Sequence, residues 1–362
     1  MTHFARSTCI VLLVSTGLLT AACSRNVKPL PAHPLTHSAS HAKASGPAAS
    51  KIPLQGYAAR SDVQVFITRL VQQDGFEQQW LDKVLGSAHN NASVISAITA
   101  PYESKPWYQY KPLFVNHRRI DAGVDFWNTH AQMLARAQQK YGVPAALIVA
   151  ILGVESFYGR EKGGYPVLDA LATLAFDYPP RAQFFQHELQ QYLMLCREQS
   201  FDPMSLTGSY AGAMGVPQFM PDSYRRYAVA SISGGHPDIW NNWGDIIDSV
   251  ANYFKIHGWQ ENGLVALPAA LLPKHAVPPT LTATQIGVLR RQGVILSTGP
   301  SADTPAMLIP LQLENGTQYW VGFDNFRVIT QYNKSPLYAM AVFDLSARIS
   351  EKRALDGQYA PP

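Results

Sequence analysis

Residues 145–154 are apolar at every position apart from Gly153. A helix that is apolar on every side has no face to offer water, so it must lie inside a core. Gly142 stops the segment before it, and Pro144 stands where the first turn of the new helix should begin. The 362 residues allow two or three packing units at roughly 100–200 residues each, and a hydrophobic content of 47% is ample to bury such a helix. The run ends in Glu155, followed by Ser156-Phe157-Tyr158-Gly159-Arg160. A carboxylate emerging from a buried helix end is costly if ionised and unpaired. Burial favours its protonated form and raises its pKa. A neutral carboxylic acid near neutral pH is what general-acid chemistry on a glycosidic oxygen requires. The same local pattern also fits a structural glutamate paired with Arg160 or another base.

The flanking spacing is helical. Val63, Phe66, Ile67 and Leu70 recur at three- and four-residue intervals after Ser61, a candidate N-cap. Trp80, Leu81, Val84 and Leu85 repeat the pattern before Gly86. One helix is expected over about 124–141, and others over about 167–176, 181–199 and 245–257. Residues 262–305 carry many prolines and few periodic runs. The runs 306–313 and 317–323 then flank Glu314-Asn315-Gly316, and Asn-Gly between such runs predicts a hairpin. This gives a small β-containing insertion over 262–325, then a short strand-like piece and a final helix over 326–349, and a tail over 350–362.

The N-terminus reads as an export signal. Arg6 supplies a positive start, and an apolar stretch from Ile10 to Leu19 is too short to span a bilayer as a mature helix. Leu19-Thr20-Ala21-Ala22-Cys23 resembles a bacterial lipobox, in which Cys23 becomes the lipidated first residue; Thr20 departs from the usual Leu. Ser24 after the cysteine resembles outer-membrane sorting. A signal peptide over 1–22 and a flexible tether over 23–56, rich in Pro, Ala, Ser and His, follow from this. His33, His37 and His41 are read as solvated linker residues rather than metal ligands.

Several functions are excluded. A net charge of +4, from 29 Lys+Arg against 25 Asp+Glu, is too small and dispersed for nucleic acid. GxSxG and CxxC are absent, and Gln191 breaks the HExxH spacing begun by His187-Glu188. With Cys9 in the signal and Cys23 lipidated, Cys196 has no partner for a disulfide. The stretch 208–221 offers glycines that permit close backbone approach to a ligand, Ser209 and Gln218 as hydrogen-bonding groups, and Phe219 and Met220 as apolar walls. Trp107, Tyr108 and Tyr110 cluster, and Tyr332-Asn333 is followed by Tyr338; aromatic faces can pack on sugar C–H faces.

The ordered motifs Gly153-Val154-Glu155-Ser156, Leu168-Asp169-Ala170-Leu171-Ala172-Thr173-Leu174, Gly212-Ala213-Met214-Gly215 with Pro217-Gln218-Phe219-Met220-Pro221, and Ser249-Val250-Ala251-Asn252-Tyr253-Phe254 resemble the membrane-bound lytic murein transglycosylase B family, glycoside hydrolase family 103. The resemblance covers about 62–349. It implies a mainly α (α+β) fold: a lysozyme-like helical core over 142–261, an additional helical domain over 57–141 and the small β-containing domain. It implies a monomer acting on a peptidoglycan glycan strand without cofactor, held at the outer membrane by its lipid anchor and facing the periplasm. Glu155 matches the catalytic acid/base, and Ser209 a serine near the muramic acetamido group. Gln218, Tyr253, Tyr332, Asn333 and Tyr338 match cleft positions, and Tyr110 is taken with them. Arg181 matches one of two adjacent basic residues; Pro180 replaces the other, and Phe184 stands where members can carry Tyr.

Members can also carry an EF-hand-like calcium loop before the Trp240 position. Here Ala230 or a neighbour and a central glycine replace acids, and Asp238 alone cannot supply the six to eight oxygens that calcium needs. No metal is expected. A two-carboxylate glycosidase needs a second acid, for which Asp169, Asp177 and Asp222 are the candidates. The resemblance instead implies one carboxylate used twice. A hydrolytic muramidase and a non-catalytic peptidoglycan-binding lipoprotein remain the alternatives.

Overall fold

The computed structural model describes residues 53–99, 105–232 and 235–359. The signal, Cys23 and nearly all of the tether lie outside the described residues. A 3-10 turn at Gly56–Ala59 leads into α1 (Ser61–Asp74) and α2 (Gln78–Ser87), with Val63, Phe66, Ile67, Leu70, Leu81, Val84 and Leu85 buried as their spacing predicts. The N-cap is Arg60 rather than Ser61, because Ser61 has already turned helical. The Arg60 guanidinium reaches Asp62 at 2.7 Å and Asp177 at 2.5 Å, tying this segment to the core.

After α3 (Ala92–Ile98) and α4 (Trp107–Phe114), the single helix expected over 124–141 is two, α5 (His117–Thr129) and α6 (Ala131–Tyr141). His130 leaves the helical region, at φ −111° and ψ 21°, and its ring packs against Phe126 at 4.5 Å and Trp243 at 5.0 Å. The apolar run forms α7 (Ala145–Ser156), with α5 and α14 (Pro336–Tyr359) packed against it. Its one glycine has a steric reason. A Cβ on Gly153 would lie 2.6 Å from the Tyr158 hydroxyl, which crosses this helix to donate to the Arg119 carbonyl at 2.8 Å.

Next come β1 (Tyr165–Pro166), α8 (Val167–Asp177), a 3-10 turn Pro179–Arg181, α9 (Ala182–Gln199), β2 (Thr207–Gly208), α10 (Pro221–Tyr227) and α11 (Trp243–Ile256). The β-containing part is an antiparallel sheet in the order β4-β6-β7-β3-β5, from β3 (Ala266–Leu271), β4 (Thr284–Gln285), β5 (Val294–Leu296), β6 (Pro305–Gln312) and β7 (Thr317–Gly322). With α12 (Ile286–Arg291) it encloses its own small core of Ile286, Leu289, Val294, Leu308, Val321 and Phe323. The predicted hairpin is present, closing on Gln312 opposite Thr317. The strand-like piece expected after 326 is instead a helix, α13 (Asp324–Tyr332), because Phe326, Val328 and Ile329 bury one helical face. The tail expected from 350 continues α14 to Tyr359. Among the described residues no single helix is long and apolar enough to cross a membrane.

Candidate active site

Glu155 occupies the last turn of α7, partly exposed between buried Val154 and Ser156. The chain then reverses through three left-handed residues, Phe157, Tyr158 and Gly159, with φ of 47°, 58° and 81°. Ser156 Oγ stabilises the reversal by accepting from the Gly159 N–H at 3.0 Å. Arg160, the candidate structural partner of Glu155, lies 5.0 Å over the Phe157 ring.

The wall around Glu155 is made of tyrosines. Tyr338, near the start of α14, donates its hydroxyl to Glu155 Oε1. Tyr332 donates to the Pro217 carbonyl at 2.7 Å, and Tyr253 to the Gln331 carbonyl at 2.7 Å. Their rings meet at 4.7 Å, and Phe219 and Phe254 pack on Tyr332 at 5.9 and 5.7 Å. Burial first, then the nearby Glu155 charge, pushes the Tyr332 and Tyr338 hydroxyls well up; burial also raises Tyr253. These phenols therefore stay protonated. The hydroxyl protons of Tyr253 and Tyr332 are spent on carbonyls, so neither keeps a hydroxyl proton to donate to a ligand. Asn333 Oδ1 accepts from the Ser335 N–H at 2.9 Å and shapes the turn from α13 to α14. Tyr110, expected in the cleft, is 1% exposed. Its ring packs against Trp107 and Phe114, and it acts electrostatically on the Tyr338 hydroxyl.

The second wall is the loop 208–221. Ser209 Oγ accepts from the N–H groups of Ala211 and Ala213, at 3.2 and 3.1 Å, which leaves the hydroxyl proton to offer. Gln218 is held at φ 51°, and its Nε2 donates to the carbonyls of Lys162 and Gly215 at 3.1 and 2.7 Å. A ligand can meet only its acceptor oxygen. The glycines do not serve ligand approach as expected. A Cβ on Gly208 would lie 2.1 Å from the Ala213 carbonyl oxygen, so this glycine lets the loop close on itself. Arg181 and Phe184 stand together at the entry to α9, with the guanidinium 4.4 Å over the exposed Phe184 ring.

The candidates for a second catalytic acid are engaged elsewhere. Asp177 receives Tyr57, Arg60 and Asn90. Asp169 accepts from the His89 N–H at 2.9 Å, and Asp222 pairs with Arg226 at 2.8 Å. Cys196 is a buried free thiol that burial pushes up to about 12.

Two buried acids escaped sequence reasoning. Glu188 is 4% exposed within α9, where burial pushes its carboxyl up to about 7. Its position on the face of Phe185 and Tyr192 was the available signal. Asp245, in the first turn of α11, accepts from Ser231 N and Oγ, both at 2.7 Å, and from Asp238 N at 2.9 Å. Asp238 Oδ1 in turn accepts from the N–H groups of Trp240 and Asn241 at 2.9 and 3.0 Å. This loop's acids thus hold its own backbone, a poor fit to calcium. Among the described residues no group of three or more His, Cys, Asp or Glu could hold a metal ion.

A glutamate at the end of a buried helix, walled by tyrosines and facing a glycine-closed loop, defines a lysozyme-like glycan-cleaving enzyme. Residues 58–347 match the family model described as Transglycosylase SLT domain, and the chain belongs to this lytic transglycosylase family. It is similar to membrane-bound lytic murein transglycosylase B of Escherichia coli, at 38% identity over 354 residues, 95% of this chain and 98% of that protein. The structure is similar to catenated lytic transglycosylase SltB1 from Pseudomonas aeruginosa (TM-score 0.77, 45% identity, 82% of this chain and 99% of that one). It is also similar to the E. coli lytic transglycosylase Slt35 in complex with calcium (TM-score 0.76, 39% identity, 83% and 96%).

Proposed function

We propose that this lytic transglycosylase cleaves the β-1,4 bond between N-acetylmuramic acid and N-acetylglucosamine in peptidoglycan, with Glu155 as its single acid/base. The observation that carries the reading is the position of Glu155 in the last turn of α7, joined to Tyr338, while Asp169, Asp177 and Asp222 are all engaged elsewhere. The C-terminal turn of a helix is where a negative charge is least welcome, which suits a group that must begin as an acid. Glu155 gives its proton to the glycosidic oxygen as the C1–O bond breaks. The substrate's acetamido oxygen stabilises the cation at C1, and the Ser209 hydroxyl, with its proton to offer, orients that group. The Glu155 carboxylate then takes the proton of the C6 hydroxyl, and O6 closes on C1. The products are a free N-acetylglucosamine hydroxyl and a 1,6-anhydromuramoyl end, and no water is consumed. Gln218, Tyr253, Tyr332, Asn333 and Tyr338 shape the cleft, and the Arg181–Phe184 pair supplies a further surface for the strand.

Mass spectrometry of digested sacculi tests the reaction. Anhydro products, one water lighter than hydrolytic ones, are expected; reducing muramic ends as the main product would mean a hydrolytic muramidase.

The name of the E. coli relative is that of a membrane-bound enzyme. We place this chain likewise at a membrane and, more finely, on the periplasmic face of the outer membrane, as a monomer anchored through Cys23. Labelled fatty acid should enter the wild type and not Cys23→Ala; equal labelling of the two would remove the anchor.

A further inference from the structure

We propose that Glu188 is a positioning residue that clamps the exit of the 208–221 loop to α9 and thereby sets affinity for the glycan. The inference rests on the reading that Ser209 and Gln218 of this loop meet the substrate. The loop is pinned at both ends. At its entry, Gly208 pairs with Tyr165 in the β1–β2 ladder. At its exit, Glu188 Oε2 accepts the N–H of Asp222 at 3.1 Å, one residue beyond Pro221. Between the pins Gln218 is held in the left-handed region and Ser209 makes a tight local turn. A strained loop keeps one shape only when its surroundings over-determine it.

The clamp is an expensive way to hold a loop, since a buried carboxylate costs free energy that an apolar residue would not. Glu188 lies at 4% exposure among Phe185, Leu189 and Tyr192 on the buried side of α9, where Gln191 is the other buried polar residue and receives Arg225 of α10. Its partner is held twice over. The Asp222 side chain pairs with Arg226 at 2.8 Å and approaches His187 at 3.7 Å, while its backbone N–H meets Glu188. The charged groups acting on Glu188 are Asp222 and Arg226 from α10 and Arg181 from the preceding 3-10 turn; burial, reinforced by the Asp222 charge, outweighs the Asp222 N–H and the two arginines and moves its titration up to about 7. Above that pH the acceptor is ionised, and charge-assisted hydrogen bonds are roughly twice as strong as neutral ones. The grip on the loop therefore tightens as pH rises through neutrality. Arg181, whose charge acts on Glu188, also lies over Phe184 on the same stretch of chain.

The test measures KM and kcat on soluble glycan strands from pH 5.5 to 8.5 for wild type, Glu188→Gln and Glu188→Ala. Wild-type KM should fall several-fold across neutrality. Glu188→Gln keeps an acceptor of the same shape, so it should fold, retain kcat, and show a KM that no longer changes over this range. Glu188→Ala leaves the Asp222 N–H unpaired and should raise KM about tenfold. Binding of N-acetylglucosamine oligomers to Glu155→Gln, with and without Glu188→Gln, separates this proposal from the assignment of Glu155. Activity surviving in Glu155→Gln would sink that assignment and leave the clamp standing. A wild-type KM profile in Glu188→Gln, or a loss of kcat with KM unchanged, would overturn the clamp.

Discussion

Glu155 and Asp245 each occupy an outermost helical turn beside the same core, one at the C-terminal end of α7 and the other at the N-terminal end of α11. Asp245 sits at the favourable end of its helix dipole, and three donors from Ser231 and Asp238 converge on it. It is a lock. Glu155 sits at the unfavourable end, partly exposed, with the Tyr338 hydroxyl on one oxygen. The contrast separates two uses of a carboxylate. One carboxylate is enclosed by donors and spends itself on holding backbone; the other stands partly exposed at the helix end where negative charge is least welcome.

The contrast breaks most plainly at Glu155. Glu155→Gln should cut turnover by more than about a thousandfold, the upper range for losing a general acid/base, while the melting temperature hardly moves. An active Glu155→Gln enzyme would end the distinction. Asp245→Ala should do the opposite. Losing three accepted hydrogen bonds costs about 3 kcal/mol, seen by calorimetry as a fall in melting temperature of roughly 6–12 °C. The folded variant should retain kcat.

Glu188 sharpens the comparison as the intermediate case, buried mid-helix with one backbone donor. Burial raises its carboxyl in the folded protein to about 7 from the ordinary 4.5, which favours the folded state below about pH 4.5. That contribution is lost as pH rises through about 7. The expected loss is about 3 kcal/mol, read as a decline in wild-type melting temperature relative to Glu188→Gln. Parallel profiles for the two proteins would show that Glu188 titrates normally. The smallest expected effect is that of calcium. A ligand that binds only the folded state raises its stability by mass action. With the Asp238 and Asp245 carboxylates already holding the loop backbone, millimolar calcium and chelator should both leave the melting temperature unchanged. A rise reversed by chelator would mean that Asp245 can exchange its backbone donors for a cation.

Much of the helical core was legible because burial leaves periodic traces. The apolar run of α7 and the repeats of α1, α2, α8, α9 and α11 fell near their observed bounds, and Asn315-Gly316 announced the hairpin. The break at His130 left no such trace, since it depends on rings from Phe126 and the distant Trp243. α13 stands where a strand-like piece was expected, because tertiary packing of Phe326, Val328 and Ile329 decides the local structure there. In the site, Glu155 was conspicuous as an acid ending an apolar run. Tyr253, Tyr332 and Tyr338 were assigned by family resemblance and not from their local spacing. Glu188 and Asp245 were missed because an acid in an amphipathic helix normally marks the solvent side, and only the fold reveals that these two point inward.

The Tyr338–Glu155 bond joins residues 183 positions apart. A chain made from its N-terminus completes α7 long before α14 exists, and the whole β-containing part must emerge between them. Contacts of such sequence separation are late and slow to form. The carboxylate thus lacks its tyrosine until α14 has been made, and a product truncated before Pro336 never acquires it. In an enzyme that cleaves peptidoglycan, this order of assembly makes completeness of the chain a condition for a finished site.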